Sequence, residues 1–83
     1  MTKLIRMRGL EDQSGLRRSK LYMDISEELM VPPIKDGPVS LWPQDEVDKV
    51  LEMKIAGSSK DELRKLVKTL VGNRAKRAPR LVA

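Results

Sequence analysis

The 83-residue chain has no cysteine, no histidine and no phenylalanine, and its only aromatic residues are Tyr22 and Trp42. Without cysteine there are no disulfides and no thiol nucleophile. Without histidine as well, zinc sites of the usual kind and imidazole acid-base catalysis are excluded. The composition therefore argues against an enzyme and implies no cofactor. With so few aromatics, the core has to be built from Leu, Ile, Val and Met, and its stability should be modest. No apolar run approaches the ~20 residues of a membrane span. The stretch "MTKLIRMRGL" carries charges where a signal peptide needs its apolar segment. The expectation is a cytoplasmic chain with no membrane partner. A chain of this length with 40% hydrophobic residues suits one small domain, which buries roughly 60% of its unfolded surface.

Charge is abundant and unevenly placed. The net charge is +5. Residues 1–23 hold six basic and two acidic side chains, residues 24–62 hold four basic and ten acidic, and residues 63–83 hold seven basic and no acidic ones. Segregation of this kind favours a polyanion at one surface, whereas charge that serves solubility alone is usually interspersed.

Met1 to Lys3 read as a short arm. "LIRM" (Leu4 to Met7) is either a brief strand or the entry to a helix. A first helix is expected from Arg8 to Ser14, closed by Gly15, with Leu16 pinning the turn to the core. A second should run from about Arg17 to Glu28, because Leu21, Ile25 and Leu29 recur every four residues, with Arg17, Lys20 and Asp24 or Glu27 pointing away from that stripe. "VPPIKDGPVSLW" contains three prolines and cannot be helical. Asp36-Gly37-Pro38 marks a turn between two extended arms, with Ile34 on one and Val39 to Trp42 on the other. Pro43 suits the first turn of a third helix, and Asp45, Glu46 and Asp48 supply negative charge at its positive end. Val47, Val50, Leu51, Lys54 and Ile55 follow helical spacing up to Gly57. Ser59 with Glu62 forms a capping box for a fourth helix, whose Leu63, Leu66, Val67, Leu70 and Val71 make one apolar face before Gly72. That face either packs on its own domain or on a second copy. "NRAKRAPRLVA" is basic and aperiodic, so residues 73–83 are expected to be disordered.

Two helices joined by a short Gly-containing turn, the second with cations at its N-terminus, are the ingredients of a helix-turn-helix. Base edges in the major groove are read by the first turns of the recognition helix, where the helix dipole is positive and Arg or Lys reaches guanine or a neighbouring phosphate. A following hairpin with a basic residue can act as a wing. The fold class expected is thus mainly α: a small winged helix-turn-helix over residues 1–57, with a short β-hairpin wing and an additional C-terminal helix over 58–72.

The pattern "LIRMRGL…SGLRRSKLYMDI…PPIKDG…LW…EVDKVLEMKIAG" resembles the AlpA family of prophage regulators, relatives of excisionases and of MerR-type winged-helix domains. The likeness runs from about Leu4 to Gly57, with Gly15, Leu16, Arg18, Ser19, Tyr22, Pro33, Ile34, Lys35, Gly37 and Trp42 in matching positions. It implies a regulator of a prophage or mobile element that binds promoter or attachment-site DNA. In that role it acts as a transcriptional regulator, as an excisionase (recombination directionality factor), or as both. Arg17 to Met23 would enter the major groove and the turn from Lys35 to Val39 would form the wing. The implied partners are double-stranded DNA, a homodimer or cooperative array on it, and an integrase or recombinase; the protein would associate with the nucleoid when bound to DNA. Three positions depart from the family pattern. Arg17 stands where Ser is usual, removing an N-cap worth about 1 kcal/mol unless Ser14 or water compensates. Val39 replaces a frequent basic residue, and Glu28 a frequent Gly.

The candidate DNA-binding residues are Arg17, Arg18, Ser19, Lys20, Tyr22, Met23, Lys35 and Gly37. Each has a plainer reading. The three cations and Lys35 could be solvated charges, Ser19 could satisfy a backbone donor at the helix start, and Tyr22 could sit at the core edge. Trp42 is expected in the core. A rival function is a protein-protein adaptor using the apolar face of the fourth helix, with non-specific nucleic-acid binding. An RNA-binding module is disfavoured by the shortage of stacking aromatics.

Overall fold

The computed structural model describes residues 3–77. Both readings of "LIRM" hold in succession: Leu4–Ile5 form strand β1, and helix α1, Met7–Ser14, follows with only Arg6 between them. Helix α2 spans Arg18–Ser26, strands β2 and β3 span Ile34–Asp36 and Val39–Pro43, and helices α3 and α4 span Gln44–Ile55 and Lys60–Gly72. The class is the expected one, a mainly helical winged helix-turn-helix with an added C-terminal helix. Among the described residues no helix is long and apolar enough to cross a membrane.

The sheet is antiparallel with order β1-β3-β2. β2 and β3 form the wing, pairing Ile34 with Leu41, Lys35 with Ser40 and Asp36 with Val39. That register leaves Gly37 and Pro38 as a two-residue loop. Gly37 at φ 60° followed by a proline of fixed negative φ is the pattern of a type II′ turn, whose twist matches the flanking strands. On the other side of β3, Ile5 pairs with Trp42 and Leu4 with Pro43, and the Gln44 amide continues the line by donating to the Lys3 carbonyl at 2.8 Å. This pairing holds Pro43 extended (φ −64°, ψ 120°) as the residue before α3, so the helix starts at Gln44 rather than at the proline.

α2 and α3 end in the same way. Beyond α3, the Gly57 amide donates to the Lys54 carbonyl and the Ser58 amide to that of Met53, both at 3.1 Å. Beyond α2, the Glu28 amide donates to the Ile25 carbonyl at 3.1 Å and the Leu29 amide to that of Asp24 at 2.8 Å. Both are Schellman motifs built around a left-handed residue. At α3 that residue is Gly57 (φ 80°), and at α2 it is Glu28 (φ 61°), the only non-glycine with positive φ among the described residues. The left-handed turn explains why α2 stops at Ser26, short of the expected Glu28.

Leu10, Leu21, Trp42, Val47 and Val50 are completely buried, and the Leu29-Met30-Val31 linker is buried with them. Trp42 fixes that linker by donating from Nε1 to the Val31 carbonyl at 3.0 Å. α4 starts at the expected capping box: Ser59 Oγ accepts from the Glu62 amide while a Glu62 carboxylate oxygen accepts from the Ser59 amide. Its Leu63, Val67 and Leu70 join the core of their own chain. Ile55, which shares the spacing of the buried α3 residues, is 86% exposed at the end of that helix.

Two acidic residues depart from the expected surface positions. Asp24 is only 1% exposed. It lies three residues after Leu21 and so shares that residue's inward face. Glu46 is 2% exposed and does more than complement a helix dipole. Its carboxylate accepts from Arg74 Nη2 at 2.7 Å and Nε at 3.1 Å, and from Arg77 Nη1 at 3.1 Å. Arg74 also donates to the Pro32 carbonyl at 2.8 Å, and Arg77 reaches Asp45. The segment after α4, expected to be disordered from Asn73, therefore continues as a 3-10 turn over Arg74–Lys76, drawn onto the start of α3 by this clasp. The rest of the expected tail, residues 78–83, lies outside the described residues.

Candidate nucleic-acid interface

α1 and α2 are joined through Gly15, Leu16 and Arg17. Gly15 adopts φ 73° and donates its amide to the Glu11 carbonyl at 2.9 Å, a left-handed exit that glycine makes without steric cost. The Leu16 amide donates to Ser14 Oγ at 3.2 Å, which fixes the turn. Arg17 takes the N-cap position in extended geometry and provides no side-chain cap. The expected deficit is met by neither Ser14 nor Arg17: Glu11 reaches from α1 so that its Oε2 accepts from the Arg18 amide at 3.1 Å. A carboxylate at the positive end of α2 is a favourable placement.

With Leu21 and Asp24 facing inward, the first turns of α2 present the other side to solvent. Arg17, Arg18, Ser19 and Lys20 are all exposed. Among the described residues the Arg17 side chain makes no hydrogen bond or ion pair. The Arg18 guanidinium lies 5.5 Å from the centre of the Tyr22 ring, within cation-π range. Arg17, Arg18, Ser19 and Tyr22 line one open concavity together with Glu11. Tyr22 is 42% and Met23 56% exposed, so neither is a core residue.

Lys20 is held differently from the arginines. Its Nζ donates to Asp24 Oδ1 at 2.8 Å one turn along the helix, while Asp24 Oδ2 lies 3.4 Å from Lys54 Nζ on α3. The hydrogen bond to Asp24, reinforced by the charge of that carboxylate, raises the Lys20 pKa above its ordinary value. Lys35 and Gly37 sit apart from this cluster on the wing. Lys35 Nζ donates to Ser40 Oγ of its cross-strand partner at 2.6 Å, and Gly37 shapes the loop.

Sequence reasoning missed the supports of this surface. Arg64 of α4 donates from Nε to the Glu27 carbonyl at 3.0 Å, placing a cation at the negative end of α2. Lys54 supports the same end through Asp24, and Glu11 holds the other through the Arg18 amide. Each comes from a different element, and the sequence carries no signal for Arg64 or Lys54. For Glu11 the absence of a capping side chain at Arg17 was a partial clue.

Models of protein families, curated proteins and solved structures yield no match to the chain.

Proposed function

We propose that this chain is a sequence-specific duplex-DNA-binding protein that regulates transcription of a prophage or other mobile element, serves its excision, or does both. The observation that carries the reading is the exposed cluster of Arg17, Arg18, Ser19 and Tyr22 at the N-terminus of α2, on a helix whose other face is locked into the core. Cations at that end of the second helix can reach phosphates and guanine edges together. Segregated charge and the wing at Lys35 and Gly37 support the same reading, and the residue pattern from Leu4 to Gly57 supplies the mobile-element setting. Arg17 and Arg18 would contact phosphate or base edges, Ser19, Tyr22 and Met23 would follow the groove, and Lys35 would reach the backbone beside it. A second copy and an integrase are further partners under this reading.

The adaptor alternative has one observation in its favour, an apolar groove lined by Ile25, Met30, Pro32, Val67 and Val71. Against it, most of the α4 face it needs is already covered by the chain's own core.

The test is a mobility shift with DNA from upstream of the chain's own gene, at two salt concentrations and against competitor DNA. The complex should weaken with salt and survive competitor. Arg17→Ala and Arg18→Ala should each weaken it and lower the slope of log K against log salt by about 0.9 for every phosphate no longer neutralised, with the circular dichroism spectrum unchanged. Absence of binding at low salt would overturn the reading.

A further inference from the structure

Asp24 and its two lysines form the one arrangement at this surface that the DNA reading does not itself require. A nearly fully buried carboxylate is costly unless its charge is matched. Here it has two cations of unequal exposure: Lys20, whose side chain is 52% exposed, at 2.8 Å and Lys54, 30% exposed, at 3.4 Å. Lys20 belongs to the surface proposed to meet DNA, and Lys54 comes from a different helix. If Lys20 were the only partner, moving it to a phosphate would leave Asp24 buried and unmatched. The exchange would then be opposed by most of the energy of the pair.

Resting on the DNA-binding reading above, we infer that Lys54 is a positioning residue for DNA recognition: it keeps Asp24 neutralised while Lys20 swings from that carboxylate to a DNA phosphate. The two carboxylate oxygens are already divided between the lysines, Oδ1 to Lys20 and Oδ2 to Lys54. Departure of Lys20 therefore leaves the second contact in place, free to shorten. The four-carbon stem of Lys20 allows its ammonium to turn outward without movement of α2. In the free protein the same pair stores the Lys20 charge against its own helix, so the cation is delivered only when a stronger anion is present.

The experiment is fluorescence anisotropy of the full chain with a duplex carrying the DNA upstream of its own gene, across a range of salt concentrations. Lys20→Met should lower the salt slope by about 0.9. Lys54→Met should lower it by the same amount although Lys20 is still present, because Lys20 is then retained by Asp24. Adding Asp24→Asn to Lys54→Met should restore the slope, and Lys54→Arg should keep it. Asp24→Asn alone should tighten binding several-fold, and if Lys54→Met fails to fold, Lys54→Gln takes its place in the same comparison with Lys20→Met. A wild-type slope in Lys54→Met beside a lowered slope in Lys20→Met overturns the inference, as does a double variant that stays low. A slope lowered by Arg17→Ala but untouched by Lys20→Met overturns it while leaving the DNA reading standing. If neither Arg17→Ala nor Lys20→Met alters the slope, α2 is not the DNA-binding surface and both fall together.

Discussion

Glu28 is the residue whose backbone most plainly conflicts with its side chain. It sits at φ 61° in the Schellman motif that ends α2, the position that Gly57 fills at the end of α3. For a residue with a Cβ, the left-handed conformation costs roughly 1–2 kcal/mol. Part of that returns through the greater unfolded-state freedom of glycine. Glu28→Gly should therefore stabilise the protein by about 0.5–1 kcal/mol, seen as a higher denaturant midpoint at an unchanged slope. The ion pair that this variant removes, Glu28 to Lys68 at 3.9 Å, joins side chains 54% and 73% exposed, and exposed pairs contribute little. A lower midpoint would show that the side chain of Glu28 matters more than its backbone strain. The glutamate at this position is thus a matter of backbone strain and stability.

At the scale of elements, α4 carries its own start signal. The hydrogen bonds between Ser59 and Glu62 hold the Glu62 carboxyl below its ordinary pKa, the backbone bond from Ser59 first among the causes. A carboxyl whose folded pKa is depressed adds stability above its unfolded pKa and loses it as pH falls through the folded value. The stability gap between the wild type and Glu62→Gln should accordingly be present at neutral pH and close as the pH drops below the ordinary carboxylate range. Ser59→Ala should cost about 1 kcal/mol, read from thermal melts. A gap independent of pH would show that the Glu62 carboxylate contributes only as an uncharged hydrogen-bond acceptor. The same element shows what the sequence makes legible and what it does not. The capping box, the Leu63–Leu70 stripe, the Asp36-Gly37-Pro38 turn and the glycine exits at Gly15 and Gly57 are written in residues within a few positions of one another. The inward carboxylates, the Arg64 bond to Glu27 and the Lys54 contact with Asp24 depend on which elements pack together. Apart from Lys20, one turn from Asp24, their partners lie 28 to 37 residues away, and local spacing holds no record of them. Asp24 was the partial exception, since its place one turn beside Leu21 marks it as inward to a reader who trusts geometry over polarity.

For the whole molecule, the segment after α4 is part of the fold rather than an appendage. Glu46 is buried and its matching charges come from Arg74 and Arg77, whose side chains are 19% and 30% exposed. Ending the chain at Gly72 would leave that carboxylate buried without them. Removing one side of a buried ion pair typically costs about 3–5 kcal/mol. With arginines that are partly hydrated, a decrease of about 3 kcal/mol is expected in chemical denaturation, and Glu46→Gln in the shortened chain should recover part of it. Equal stability of the two lengths would mean that the clasp contributes nothing net. The sheet has an effect of another kind, on the order of assembly during synthesis. The wing closes between residues only a few positions apart, but β1 finds its partner across both of the first two helices: Leu4 waits for Pro43 and Ile5 for Trp42. On the ribosome the first of these three strands to be made is thus the last to gain its ladder, and the helix-turn-helix is complete as a sequence well before the strand that anchors it has anything to hold.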